Sequence, residues 1–496
     1  MFTSLRRAGT RFAARNVTTK PSEYGQPTFL SHPHLVKENE TTPGIPASDY
    51  EQRRRRLMEL LPEKTIVVSV AAPVKYMSAN IFYKYRQASD FWYLTGFEEP
   101  ESAVVLEKTS SSKGYSMTLF CSGRNAAKEK WDGASTSLSS AKNLFHADET
   151  MPISNFASHL KAILPTSSHV YVDLPNPTSW SSRQKGKGLL NYLTGSVSSL
   201  TSMGGVDREE VMKHLSGSAQ RPLAPQVGKL RVLKSKAERE VMKAAADISA
   251  KAHTKTMRFT QPGMSESAVA GHFEYLCTLG GSQRPAYVPV VASGPNSLIL
   301  HYTANNHTIG NDELVLIDAG CEYNGYASDI TRTFPASGTF TSAQREIYSA
   351  VLYTQKEMIK LCTESSGYSL QELHKQSCEL LRAELNRIGF ELKGEGDLER
   401  VLYPHYLGHP IGVDLHESAF FERAAPLREG MVITIEPGIY VPPTAKFPKH
   451  FHNIGVRIED DVLVGEEHPT ILSVSAPKEV VDVEGACQGL LGLEPY

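Results

Sequence analysis

Residues 314–320 read LVLIDAG, and residues 325–334 read GYASDITRTF. Leu314, Val315, Leu316 and Ile317 drive the first segment into a core as a strand, yet Asp318 sits inside the run. A carboxylate there is costly unless something pairs with it. Asp329 follows eleven residues later, again in strand-like sequence. Farther on, the stretch VITIE (432–436) ends in Glu436, and Pro437 with Gly438 stops that strand. GVRIEDD (455–461) carries Glu459, which strand alternation places on one face with Arg457. A single acid of this kind reads as an edge residue or a salt-bridge partner. Four, each in or after strand-like sequence, read as oxygen ligands on rigid strands, which hard divalent cations require.

Three histidines stand within twelve residues in the gap between the second and third of these acids: His405, His409 and His416. His405 and His409 have the spacing of a helical zinc site, but the surrounding residues oppose a helix. Pro404 and Pro410 bracket the pair, Pro410 disfavours helix at His409, and Gly408 and Gly412 weaken it further. The segment is expected to be extended or looped, with His409 reaching the acids across space. Four carboxylates carry about four negative charges, which two divalent cations neutralise; without metal they would repel one another and raise their own pKa values. One neutral imidazole among carboxylates suits manganese, cobalt or zinc better than calcium.

Outward from this segment the chain divides in two. Residues 230–485 form one expected domain, which carries these acids and histidines. Capping-box pairs Ser235/Glu238, Thr341/Gln344 and Ser369/Glu372 open three helices, the last ending before Gly389. Strands are expected near Tyr287–Ala292, Leu314–Ala319, Tyr326–Phe334, Met431–Glu436 and Gly455–Val464. Residues 46–218 read as a separate α/β domain. Its strands are expected at Thr65–Ala71, Asp90–Gly96 (DFWYLTG) and Ala103–Glu107, its helices at Ser137–Phe145 and Ile153–Leu164, and a loop at Thr178–Lys187. Residues 219–229, with Pro222 and Pro225, read as a linker, and 486–496 as a tail.

The remaining features bound the class. The chain has 496 residues, 40% hydrophobic, with net charge −2, so no global field favours nucleic acid. No apolar run approaches the ~20 residues of a transmembrane helix. The six cysteines are scattered without CxxC spacing, which argues against a disulfide framework or a thiolate zinc site and fits a reducing compartment. Residues 1–22 carry Arg6, Arg7, Arg11, Arg15 and Lys20 and no acid, among Ser, Thr and scattered apolar residues. That is the composition of a mitochondrial presequence, followed by a linker at 23–45. Without those five charges the net charge becomes −7. A second basic cluster, Arg53–Arg56, is compatible with a minor nuclear pool but is read as a solvated helix face leading into Leu57, Leu60 and Leu61.

The ordered set LILHY (298–302), IDAG (317–320), SDITRTFP (328–335), the His405–His416 segment, ITIEPG (433–438) and VRIEDD (456–461) resembles the aminopeptidase P branch of the pita-bread metallopeptidases. The preceding domain is similar to the creatinase-like N-terminal domain of the same enzymes, notably at Asp90–Phe97. Presequence included, the likeness is to the mitochondrial intermediate-cleaving aminopeptidases. The resemblance implies an α/β (α+β) chain with a creatinase-like domain before a pita-bread catalytic domain. It implies that Asp318 binds one metal, that His409 and Glu436 bind the other, and that Asp329 and Glu459 bridge both. His301, His405 and His416 match histidines around the metals and the substrate, with His416 beside the oxyanion. Glu436 would also shuttle a proton to the leaving amine, and Arg457 would orient Glu459 from behind. Gly408 and Pro410 depart from many bacterial relatives and put the shape of that subsite in doubt.

On this resemblance the chain is a homodimeric aminopeptidase with two divalent ions, manganese foremost and cobalt or zinc as alternatives. Its substrates would be the N-termini of peptides and of processed mitochondrial proteins, met in the matrix or at the inner-membrane face. An Xaa-Pro aminopeptidase or a prolidase-type dipeptidase is the alternative. A non-catalytic peptide-binding pita-bread module would lack the ligands that this chain keeps.

Overall fold

The β-branched run Thr65–Val70 is a strand (β1) with all six residues buried in the computed structural model. Residues 20–79, 81–174, 208–215, 220–393 and 396–491 are described. The chain forms two units, Met1–Pro222 and Leu223–Tyr496. The presequence expected at 1–22 falls mostly on residues 1–19, which lie outside the described residues, as does the loop expected at Thr178–Lys187.

In the first unit β1 is central in a six-stranded mixed sheet. Beside it run β2 (Ala103–Lys108), β3 (Tyr115–Cys121), β4 (Glu149–Pro152), β5 (His169–Asp173) and β6 (Gln220–Pro222), in the order β6-β5-β1-β2-β3-β4. Ile66, Val68, Val70, Val105 and Phe120 pack with Phe156 and Leu160 of a helix at Phe156–Ile163. Two expectations need correction here. DFWYLTG is a helix, α1 (Ser89–Thr95), not a strand. Phe91, Trp92, Tyr93, Leu94 and Thr95 are all buried, so the run shows no period that separates strand from helix. Gly96 settles it as a left-handed C-cap at φ 69°, its N–H donating to Trp92 O at 2.7 Å. The basic cluster lies on a helix at Ala47–Leu60, but only Arg55 and Arg56 are solvated. Arg53 lies 4.7 Å and 4.2 Å from the ring centroids of Tyr50 and Tyr93, and buried Arg54 donates to Leu94 O and to the Tyr115 hydroxyl. Aromatic faces and carbonyls replace water around both guanidiniums, so half of the cluster is not the solvated face expected. The two units divide within the proline-containing stretch expected as a linker, where β6 extends the sheet and Pro225 sits in the first turn of a helix at Ala224–Arg231.

The second unit opens on α2 (Lys236–Phe259), followed by α3 (Glu266–Leu279). Strands β7 (Val290–Ser293), β8 (Leu314–Asp318) and β9 (Thr331–Pro335) form one antiparallel sheet with β8 central. Helices α4 (Ser342–Lys360) and α5 (Leu370–Arg387) follow. All three expected capping boxes form, satisfying helix N-terminal donors from both sides. The last strands are β10 (Val432–Ile435), β11 (Gly438–Val441), β12 (Ile454–Arg457), β13 (Asp460–Leu463) and β14 (Thr470–Ile471). They pair antiparallel as β10-β13-β14 and β11-β12.

Three expected strands are shorter or broken. The one at Tyr287–Ala292 begins only at Val290. The one at Tyr326–Phe334 is interrupted at Ser328–Ile330, and Gly455–Val464 breaks at Ile458–Glu459, its halves joining different sheets. The breaks matter because they free the backbone where the acids stand. No helix among the described residues is long and apolar enough to cross a membrane.

Candidate metal centre

Each of the four acids sits at the end of a strand or in a break. Asp318 closes β8, Asp329 lies just before β9, Glu436 follows β10, and Glu459 separates β12 from β13. Register brings the segments together: Asp318 pairs with Thr331 and Val290, and Gly438 pairs with Arg457. Two glycines allow the close approach. A Cβ at Gly320 would lie 1.8 Å from Ser328 O, and one at Gly408 would lie 1.9 Å from Thr434 O. With Gly408 against β10, His409 is extended as its prolines predict. Its N–H donates to Thr434 Oγ1 at 3.0 Å, and Thr434 N–H donates back to His409 O at 2.8 Å.

The side chains converge from these anchors. His409 Nε2 is 3.4 Å from Asp329 Oδ2 and 3.6 Å from Glu436 Oε1. Asp329, His409 and Glu459 each present a ligand atom within 4.8 Å of the others. Asp318 joins through Tyr287, whose hydroxyl lies 2.6 Å from both Asp318 Oδ1 and Asp329 Oδ1. Arg457 is a hub rather than a prop for Glu459 alone. It donates to Asp318 Oδ2 at 2.6 Å, to the Tyr440 hydroxyl at 2.7 Å and to Thr331 Oγ1 at 3.0 Å. It reaches Glu459 through Thr331, whose hydroxyl donates to Glu459 Oε2 at 2.6 Å. It reaches His405 through Tyr440, with His405 Nε2 3.0 Å from the hydroxyl oxygen. The His416 ring meets His409 edge-on at 4.3 Å. His301 is exposed on the cleft wall.

The electrostatics are those of a cluster that needs a cation. Burial pushes the Glu436 carboxyl up to about 7, partly opposed by His409 and Arg457. Burial, then the neighbouring Asp329, Glu436 and Asp318, drives Glu459 well above the carboxylate range. Burial also raises Asp318, against the pull of Arg457. Burial alone would lower His409, but Asp329 and Glu436 hold it at about 9. Burial, with Arg457 behind it, keeps His405 neutral down to about 3. Four carboxylates, two of them buried and two partly so, cannot all ionise side by side without compensating positive charge. The donor set, carboxylate oxygens with one imidazole nitrogen, fits divalent metal ions. These groups line a cleft of about 730 Å³ whose apolar wall includes Val288, Leu300, Tyr406, Leu415 and Phe421. That volume is within the range of a small-molecule or peptide-end site.

Residues 240–466 match the Metallopeptidase family M24, and residues 50–171 match the Aminopeptidase P N-terminal domain. Intermediate cleaving peptidase 55 of Saccharomyces cerevisiae is 38% identical over 94% of this chain and 89% of its own length. The chain belongs to metallopeptidase family M24. It is a metallo-aminopeptidase with the creatinase-like and pita-bread domains expected of that family. The mitochondrial intermediate cleaving peptidase 55 of Arabidopsis thaliana is 36% identical over 96% of this chain and 90% of that protein. A crystal structure of the Saccharomyces cerevisiae peptidase aligns with a TM-score of 0.79 at 34% identity, covering 91% of this chain and 100% of that one. Membership of the M24 metallopeptidases implies divalent metal, and the acid and imidazole cluster of the cleft is the group of described residues that could hold it.

Among the groups around the M24 centre, Tyr287, Thr331, Tyr440 and Arg423 were absent from the residues expected from sequence. Tyr287 lies in AYVPV, where no spacing separates a tyrosine that faces two aspartates from one that fills a core. Tyr440 had a weak signal: it lies two residues past Gly438, which pairs with Arg457. Arg423 lines the cleft over the Tyr406 ring, 4.2 Å from its centroid, and lies in the irregular stretch AFFERAAPL (419–427) without periodicity.

Proposed function

We propose that this peptidase removes a single residue from the N-termini of imported mitochondrial proteins after presequence cleavage, and so contributes to their maturation and stability. The observation that carries the reading is the acid and imidazole cluster of the cleft, in a chain similar to intermediate cleaving peptidases over nearly its whole length. The same likeness supports residence in the mitochondrion, in the matrix or at the inner-membrane face, and the family resemblance supports a homodimer.

Asp318, Asp329, His409, Glu436 and Glu459 would hold two divalent ions, manganese foremost and cobalt or zinc as substitutes. Bound there, the ions supply Lewis acidity and lower the pKa of water near the scissile carbonyl. Glu436, which lines the cleft beside His409, would take the proton that water gives up and pass it to the leaving amine. His416 stands beside His409 and donates toward the oxyanion. His405 is held neutral and oriented by Tyr440, so it offers a hydrogen bond without adding charge. The free N-terminal ammonium of the substrate pairs with the acid cluster, which limits the cut to one residue. The apolar wall of the cleft suits a bulky apolar first residue such as Tyr, Leu or Phe.

Mass spectrometry of peptide products tests this, with matched peptides carrying proline or another residue at the second position. Loss of one residue irrespective of proline, together with mitochondrial N-termini one residue longer when the enzyme is inactive, is the expected result. The match of residues 50–171 to the aminopeptidase P N-terminal domain favours a second reading, Xaa-Pro cleavage. Cutting confined to Xaa-Pro peptides, without longer N-termini, would establish that reading instead.

A further inference from the structure

Glu266 is a buried acid that the chemistry above does not use. It is the first residue of α3, with 0% of its surface exposed. Its carboxylate accepts five hydrogen bonds from one stretch of chain. Ser293 N–H and Ser293 Oγ–H donate to Oε1 at 2.9 Å and 2.8 Å, and Asn296 Nδ2 donates to it at 2.9 Å. The Tyr302 hydroxyl and His307 N–H donate to Oε2 at 2.8 Å and 3.0 Å. Glu266 N–H completes the clasp by donating to His307 O at 3.0 Å. Burial opposes ionisation, but these donors outweigh it and hold the carboxyl below its usual range.

The tethered positions, 293, 296, 302 and 307, bracket His301. Between them the chain makes a short 3-10 turn at Gly294–Leu298 and then has no regular structure as far as His301. Leu300, His301 and Thr303 from this stretch line the cleft. Sheet hydrogen bonds of β7 end at Ser293, so past that point the carboxylate does what a ladder would do. Without it the buried Ser293 N–H and hydroxyl would lose their acceptor, and the Tyr302 and His307 tethers would lose their common anchor, so the carboxylate favours one arrangement of the loop.

We propose that Glu266 is a positioning residue: it sets His301 in the cleft, and through His301 it sets the efficiency of N-terminal cleavage. The proposal rests on the reading of His301 as a group that meets the substrate. Glu266→Gln keeps the volume but turns one acceptor into a donor facing donors. Its kcat/KM should fall about 10- to 100-fold, the scale of an ångström misplacement, with metal content unchanged. Tyr302→Phe, which leaves the ring in place, should fall several-fold and decides the matter if the first variant does not fold. Each loss should vanish when His301→Ala is already present, yet multiply with that of His416→Ala. A purely structural role would multiply equally with both. Losses of Glu266→Gln and Tyr302→Phe that multiply with an impaired His301→Ala overturn the anchor while leaving the reading of His301 intact. Wild-type turnover by His301→Ala removes both.

Discussion

Glu459 and Asp460 are consecutive acids, 2% and 0% exposed, and they ionise in opposite directions. Asp460 points to the back of its strand. There Arg332 Nη2 donates to it at 2.7 Å, with Lys478, Gln355 and Ser473 completing its shell. Burial would raise it, but Arg332 and Lys478 pull it below the usual carboxylate range. Glu459 points to the cleft, meets Thr331 and three other acids, and is driven up. Asp461 stands between the two cases. One oxygen accepts from Asp329 N–H at 3.1 Å, the other has no hydrogen-bond partner among the described residues, and burial with Asp329 raises it. Burial alone does not tell a structural acid from a metal ligand; the charge facing it does.

Exchanging the charge on each member sharpens the contrast. Glu459→Gln should cost about 10³-fold or more in kcat by removing a metal ligand, with the fold intact. With metal removed, the variant should melt above chelated wild type, because a repelling acid is gone. Asp460→Asn should do the reverse. Leaving Arg332 and Lys478 without their carboxylate should destabilise the protein by about 3–5 kcal/mol, while the folded fraction still turns over. Denaturant melts and active-site titration separate the two effects.

The pH dependence of the metal-free protein tests the same division. Glu436, Glu459 and Asp318 have raised pKa values, so the folded chain keeps protons that the unfolded chain releases near its ordinary value of 4.5 or below. Stability from these groups is complete below that pH and falls as pH rises through about 7, where Glu436 ionises, and on toward about 9, where His409 loses its proton. Asp460 runs the other way and withdraws its stability as pH falls below 3.8. Urea midpoints of chelated protein should therefore drop from pH 5 to pH 8, and divalent metal should abolish the drop. The smallest effect belongs to Tyr440→Phe. Loss of the hydroxyl between Arg457 and His405 should lower kcat about 2- to 10-fold, read in steady-state kinetics.

Much of this centre was legible because its acids interrupt apolar strand sequence. Asp318 after LVLI and Glu436 after VITI stand out against their neighbours, and the prolines around His409 announced a non-helical segment. Capping boxes were legible because their signal is local. What escaped depends on contacts distant in sequence. Phe91–Thr95 of DFWYLTG is uniformly buried, so only Gly96 distinguished a helix. Arg53 and Arg54 look solvated until Tyr50, Tyr93 and Tyr115 surround them. Arg457 pairs with Asp318 rather than contacting Glu459 directly, because the chain changes sheets at Ile458–Glu459. No periodicity foretells that change.

The most direct measurement is a metal titration of chelated wild type and Asp329→Asn, following bound manganese and peptide cleavage together. Asp329 lies nearest His409 and faces Tyr287 beside Asp318, so it stands between the two sides of the cluster. Wild type should bind two ions per chain, with cleavage rising as they bind. Asp329→Asn, folded to the same extent, should bind fewer ions and show almost no cleavage. A variant that binds as much metal as wild type and cleaves at the same rate would contradict the assignment of this cluster as the metal centre.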